Sequence, residues 1–290
     1  MTAEHDDNWV QSEPAPDRTV YQIDSPLVGD RLEITAVPPL GYDAATDPVP
    51  VLFALDPFLT LDMVVGFSRL LGTLSFGHVP PALVVGVGYP TCDLGEFMGR
   101  RARDFTPTPG PFPPEIPIQP PYGLGGAPAL LRCLTEEVVP GIAARYRVHP
   151  TDRTLIGYSL GGLFGLYTLF HQPKAFSRYL LVSPSTWWDD GVVFDFEQTW
   201  TEGHRDLPTR VFMSVGEEQP GRGWRNEMMP DEALLAFQMV ARLRDLAQRL
   251  ESRNDPGLAL HSVVFPNEQH ITTFPAALGR GLVWLFAGDD

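Results

Sequence analysis

Six short apolar runs, at residues 49–55, 83–87, 154–156, 179–182, 210–215 and 258–265, constrain this chain more than any other feature. Their continuity predicts strands covered on both faces, as in a parallel sheet. Between them lie stretches in which apolar residues recur at three and four, most clearly residues 130–146 and 233–250. Strand and helix patterns in alternation predict an α/β fold, a mostly parallel central sheet wound with helices on both faces. Ahead of the first run, residues 19–23 and 31–37 alternate apolar and polar around Ser25-Pro26 and Gly29-Asp30, the pattern of an antiparallel hairpin.

One interval breaks this rhythm. Residues 105–128 hold Pro107, Pro109, Pro111, Pro113, Pro114, Pro117, Pro120 and Pro121. Proline fixes φ and donates no hydrogen bond, so neither helix nor central strand forms there. The expectation is a stiff surface insertion, serving either as the rim of a pocket or as an inert loop. Residues 1–18 are polar and proline-punctuated and are expected to form a disordered or frayed tail, which leaves 19–290 as a single domain.

Charge excludes some partners. The 21 basic and 36 acidic side chains give a net charge of -15, whose field repels nucleic acid and anionic membranes. The first residues are acidic and polar where a leader would be basic and then apolar, and no run approaches about 18 apolar residues; a cytoplasmic, unanchored protein is expected. Cys92 and Cys133 are too few for a disulfide framework and lack zinc-site spacing, so they are expected to be core thiols. No cofactor or metal is expected, and oligomeric state is left open.

The motif that carries chemistry is Gly157-Tyr158-Ser159-Leu160-Gly161. An apolar strand leads in and a helical pattern starting at Gly162 leads out, the context in which G-x-S-x-G turns a serine outward at a sharp strand-to-helix elbow. A serine hydroxyl needs an imidazole to take its proton, and in this elbow's chain order that histidine comes later. His171 lies soon after the elbow helix and His204 in a polar stretch before a strand, both positions that suit a solvated side chain, and His261 falls inside a strand pattern. His270 follows the last strand on a loop and is the expected base. An acid to orient it is expected at the end of the run 210–215: Glu218 first, Glu217 next, with Asp189 and Asp190 a rival location and Asp231 a distant third. Two backbone N–H groups must hold the oxyanion. Leu160 supplies one, and because Pro57 has no N–H, Phe58 is the expected second.

Around these residues stand candidate substrate contacts. Arg101 and Arg103 suit forked binding of an anionic or catecholate group, or else an ion pair with Asp104. Trp187 and Trp188 suit the wall of an aromatic pocket, or else core packing. Tyr158, inside the elbow, is a further candidate.

Taken together, Val51-Leu52-Phe53-Ala54-Leu55-Asp56, Val85-Gly86-Val87-Gly88-Tyr89-Pro90, Arg103-Asp104-Phe105-Thr106-Pro107, residues 155–164, Ser183-Pro184-Ser185-Thr186-Trp187-Trp188 and Glu268-Gln269-His270 give a chain that resembles the esterase D and enterochelin-esterase-like family of α/β-hydrolases. The resemblance runs from about residue 19 onward. It implies the α/β-hydrolase fold and hydrolysis of carboxylic esters, with family members acting on siderophore lactones and on S-formylglutathione. It carries the nucleophile and base onto Ser159 and His270. Where the family usually has Gly after Leu-Asp this chain has Pro57, and where it often has G-x-x-E this chain reads Gly216-Glu217-Glu218-Gln219. The expected function is therefore a serine esterase working through an acyl-enzyme on a small-molecule ester. An acyltransferase, or a catalytically silent binding module, on the same scaffold are the alternatives.

Overall fold

The computed structural model describes residues 17–74, 78–110, 122–217 and 237–287. Eight strands form one sheet: β1 (Thr19–Ser25), β2 (Asp30–Val37), β3 (Val49–Leu55), β4 (Leu83–Gly88), β5 (Val148–Tyr158), β6 (Arg178–Val182), β7 (Thr209–Gly216) and β8 (Leu258–Phe265). Their spatial order is β1-β2-β4-β3-β5-β6-β7-β8. The pair β1–β2 and the pair β2–β4 are antiparallel, and every later pairing is parallel. All six apolar runs are strands, and the expected hairpin is β1–β2, with Thr19 opposite Ala36 and Ser25 opposite Asp30.

The inner strands β3, β4, β6 and β7 are buried on both faces because each face has its own helices, whereas the edge strands β1 and β8 are only partly covered, so the two-sided cover expected for the run 258–265 is not found. Side chains alternate across a strand, so Phe53 and Leu55 join one core while Leu52 and Ala54 join the other. The second core is closed by α1 (Pro57–Leu74) and a C-terminal helix, Thr273–Phe286. The first is closed by α2 (Leu94–Phe105), α3 (Ala127–Cys133), α4 (Val139–Ala143), α5 (Leu160–His171), α6 (Val192–Gly203) and α7 (Met239–Ser252); the C-terminal helix is α8. Helix α1 is long and apolar enough, by length and composition alone, to cross a membrane. Here it packs Leu61, Val64 and Val65 against the sheet. Helix α5 is buried along Leu160–Phe170, which is why its sequence is apolar all round.

Three expectations need adjustment. The helix expected over 130–146 runs from α3 into α4 through a π turn at Leu134–Val138; Glu137, in that wider turn, accepts the buried Ser25 hydroxyl at 2.5 Å. The helix expected over 233–250 begins at Met239, because Gln238 is in a left-handed conformation with φ 46°; residues 233–236 lie outside the described residues. Cys92 is exposed rather than a core thiol, whereas Cys133 is buried and its thiol pushed up to about 12 by that burial.

The tail expected at residues 1–18 lies, except for its last two residues, outside the described residues, as do residues 111–121 of the proline-rich stretch. The two ends of that stretch are tied together. Gly126 N–H donates to Arg103 O at 2.8 Å, Ala127 N–H to Thr106 O at 3.1 Å, and Gly125 N–H to the Thr106 hydroxyl at 2.8 Å.

Candidate active site

The elbow is built by strain that its surroundings hold in place. Ser159, between β5 and α5, has φ 57° and ψ -117°, a region that costs a non-glycine residue about 1–3 kcal/mol. Three backbone hydrogen bonds fix it: Ser159 N–H donates to Val182 O at 3.0 Å, and Ser159 O accepts from Leu163 N–H at 3.0 Å and Ser185 N–H at 3.1 Å. Crowding explains the first glycine of the motif. A Cβ at position 157 would lie 2.2 Å from Gly161 O, so only glycine fits beneath the turn.

A second turn of the same kind stands beside it. Strand β3 pairs with β5 and is followed by Asp56, another non-glycine residue with positive φ, 56°. Helix α1 then begins at Pro57, where a missing N–H costs nothing. Asp56 O accepts from Leu59 N–H at 2.9 Å and Thr60 N–H at 3.0 Å. Phe58 N–H thus belongs to the first turn of α1, as Leu160 N–H belongs to the first turn of α5, where amides point out of the helix end. The two turns touch: a Cβ at Gly161 would sit 3.4 Å from Asp56 Oδ2. Pro57, where the family usually has glycine, is accommodated by β4. Any Cβ at Gly86 or Gly88 would strike its ring, at 2.9 and 2.5 Å.

The arginines go to protein carboxylates. Arg101, 5% exposed, makes a fork onto Asp56, 1% exposed, at 2.7 and 2.8 Å. Arg103 forks onto Asp104 at 2.7 and 2.8 Å and reaches Asp30 at 2.9 Å. Arg103 therefore makes the ion pair weighed for it. Arg101 makes one that was not foreseen, and neither presents a free fork to a ligand. Trp188 is fully buried, its indole N–H donating to the Thr108 hydroxyl at 3.0 Å, which corrects its reading as a pocket wall. Trp187 is half-buried and stacks on Phe237 with ring centroids 4.2 Å apart.

His270 lies on the loop between β8 and α8. That loop is held tightly: Gln269 O accepts from Thr273 N–H at 2.9 Å and from the Thr273 hydroxyl, and Gln269 N–H donates to the Thr272 hydroxyl at 2.9 Å. Its other support is Gly216 at the end of β7, where a Cβ would meet Glu268 O at 2.2 Å. The loop returns to the elbow. Tyr158, one residue before Ser159, donates its hydroxyl to His270 O at 3.0 Å, and its ring centroid lies 4.9 Å from that of the imidazole. Burial, and secondarily the positive charge of Arg101, lower the imidazole to about 4. At neutral pH it is uncharged and able to accept a proton. The other candidates are engaged elsewhere: His171 stacks on Tyr167, His204 on Trp200, and His261 packs between Phe212 and Trp284.

The acid expected at Glu218 lies outside the described residues, as does Asp231. Glu217 is exposed, with its N–H donating to Phe265 O at 2.8 Å, at the same end of the sheet as the His270 loop. Asp189 and Asp190 both adopt positive φ, and the Asp189 carboxyl fills the space over Gly110. Sequence reasoning missed the Asp56–Arg101 pair, which joins residues 45 positions apart. It also missed the bond from Tyr158 to the His270 loop, which joins residues 112 positions apart. Among the described residues no group of three His, Cys, Asp or Glu side chains is arranged to hold a metal ion.

A family model described as "Putative esterase" matches residues 25–285. The chain is 30% identical over 254 residues to the ferri-bacillibactin esterase BesA of Bacillus subtilis (strain 168), covering 86% of this chain and 80% of that one. It is 27% identical over 251 residues to the siderophore triacetylfusarinine C esterase of Aspergillus fumigatus, covering 82% of each. Among solved structures, the siderophore hydrolase EstA from Aspergillus nidulans superposes with a TM-score of 0.82 at 25% identity, over 96% of this chain and 98% of that one. The BES protein from Bacillus cereus gives 0.77 at 26% identity, over 97% and 98%.

Proposed function

This chain belongs to the esterase family whose model spans residues 25–285, and from that premise we propose that it is a serine hydrolase opening siderophore-type carboxylic esters through an acyl-enzyme. In this proposal the Ser159 hydroxyl attacks the ester carbonyl while His270 takes its proton. The amides of Leu160 and Phe58 hold the oxyanion. His270 returns the proton to the leaving alcohol, then draws one from the water that frees the acyl group. A carboxylate after β7, Glu218 or its neighbour Glu217, steadies the imidazolium.

The observation that carries the proposal is the strained elbow at Ser159 with the His270 loop docked on the residue before it. A depressed imidazole supports the base role, because the neutral form must dominate at working pH. The names of the relatives support hydrolysis over acyl transfer, and siderophore esters over simple ones. The test is reaction with a fluorophosphonate, mapped to Ser159, followed by turnover of a ferric and an iron-free triscatecholate trilactone beside short p-nitrophenyl esters. Selective opening of the lactone supports the reading. Labelling elsewhere, or acyl transfer to added alcohols outpacing release of free acid, overturns it.

A further inference from the structure

We propose that Tyr158 is a positioning residue for the base, holding the His270 loop against the nucleophile elbow through its hydroxyl and its ring. The reason begins with strand geometry. Tyr158 ends β5 and is paired with Val182 of β6, so its backbone is fixed by the sheet. Side chains on a strand alternate between faces, and Tyr158 packs into the core shared with α1 and α8. That face is where the loop from β8 to α8 descends with His270. The Tyr158 side chain is therefore directed at the loop that carries the base.

The contacts agree with that direction. The hydroxyl donates to His270 O at 3.0 Å, a main-chain acceptor that no substitution at 270 removes. The ring lies 4.9 Å from the imidazole and 5.5 Å from Phe274 on α8, so it is wedged between the base and the helix that follows it. Burial pushes the phenol well up, with Arg101 opposing and Asp56 reinforcing, so it stays a donor across the working range. The charged and titratable groups about the imidazole include Arg101 from α2, with Asp56 behind it, Tyr158 itself and Glu268 on the same loop. Of these, Tyr158 is the one bonded to the loop's backbone. Its hydroxyl is spent on that bond, which replaces the substrate contact expected from the sequence.

The inference rests on His270 being the base, and the experiment separates the two. Tyr158→Phe keeps the ring and loses the bond. It is expected to lower kcat about tenfold with KM unchanged within about twofold, since misplacing a reacting group acts on the chemical step. Fluorophosphonate labelling of Ser159 should slow by the same factor. Tyr158→Ala also opens the imidazole to water, and the His270 titration followed by NMR, together with the acid limb of kcat, moves up from about 4 toward 6.5. Phe274→Leu, which leaves the hydroxyl but removes the ring behind it, lowers kcat about threefold and serves if Tyr158→Phe misfolds. Wild-type kcat in a folded Tyr158→Phe or Phe274→Leu protein, a loss confined to KM, or an unmoved His270 titration in Tyr158→Ala overturns the inference. Failure of the esterase reading looks different: Ser159→Ala stays active, or no ester turns over, while the NMR titration still reports on Tyr158.

Discussion

Two neighbouring turns share one backbone device and put it to different ends. At the end of β3, Asp56 turns the chain into α1 at φ 56°; at the end of β5, Ser159 turns it into α5 at φ 57°. Both are non-glycine residues in a region that favours glycine, and both stand immediately before a helix, whose first amides lack intrahelical partners. Yet Ser159 is half-buried with its backbone hydrogen-bonded on both sides, while Asp56 is sealed under Arg101. The difference shows two ways to hold a strained turn. One uses main-chain hydrogen bonds and leaves the side chain available. The other adds to its main-chain hydrogen bonds a buried ion pair that consumes the side chain.

Substitutions at these two turns test that contrast. The largest effect is expected from Ser159→Ala, which should cost about three or more decades of hydrolysis rate in steady-state assays. Next, the same change at both turns should act with opposite signs on stability, read by urea unfolding. Asp56→Gly strands the Arg101 charge and should destabilise by about 3–5 kcal/mol. Ser159→Gly relieves the turn's strain and should stabilise by about 1 kcal/mol. Equal signs would break the comparison.

The pH profile sharpens it further. Because His270 titrates at about 4 in the folded chain and its ordinary value is 6.5, kcat/KM should hold through pH 5 and fall as pH drops through about 4. The unfolded chain takes up that proton first. This group's contribution to stability is therefore full above about 6.5 and declines as pH falls from there toward about 4. An acid limb near 6.5 would show that Arg101 and burial do not act on the base as described. The smallest effect belongs to Pro57→Gly, which restores the family's usual residue. It should lower stability by about 1 kcal/mol through the freer unfolded chain and leave kcat within about threefold.

Local patterns were enough for the frame. The five inner apolar runs became strands because two-sided burial demands continuous apolar side chains, while 258–265 became a half-covered edge strand, and the elbow was legible because Gly157 has to clear Gly161 O at a fixed spacing along the chain. Arg101, Arg103 and Trp188 were not legible in the same way. Their chemistry suits a ligand as well as it suits a protein partner, and only the fold brings Asp56, Asp104 and Thr108 within reach. The break at Gln238 in the helix expected over 233–250 escaped notice for a related reason: spacing reports which residues are apolar, but not that Gln238 adopts φ 46°.

By itself, then, the sequence determined the wound sheet with its N-terminal hairpin and the strand-to-helix turn at Ser159 after β5, since both depend on periodicity and steric fit among residues close in the chain. Only the tertiary structure decided that two strained turns lie side by side, that Arg101 is taken by Asp56, and that Tyr158 ties down the loop carrying His270. Those are pairings across 45 and 112 positions. Their energies depend on burial and on distances that no run of neighbouring residues encodes.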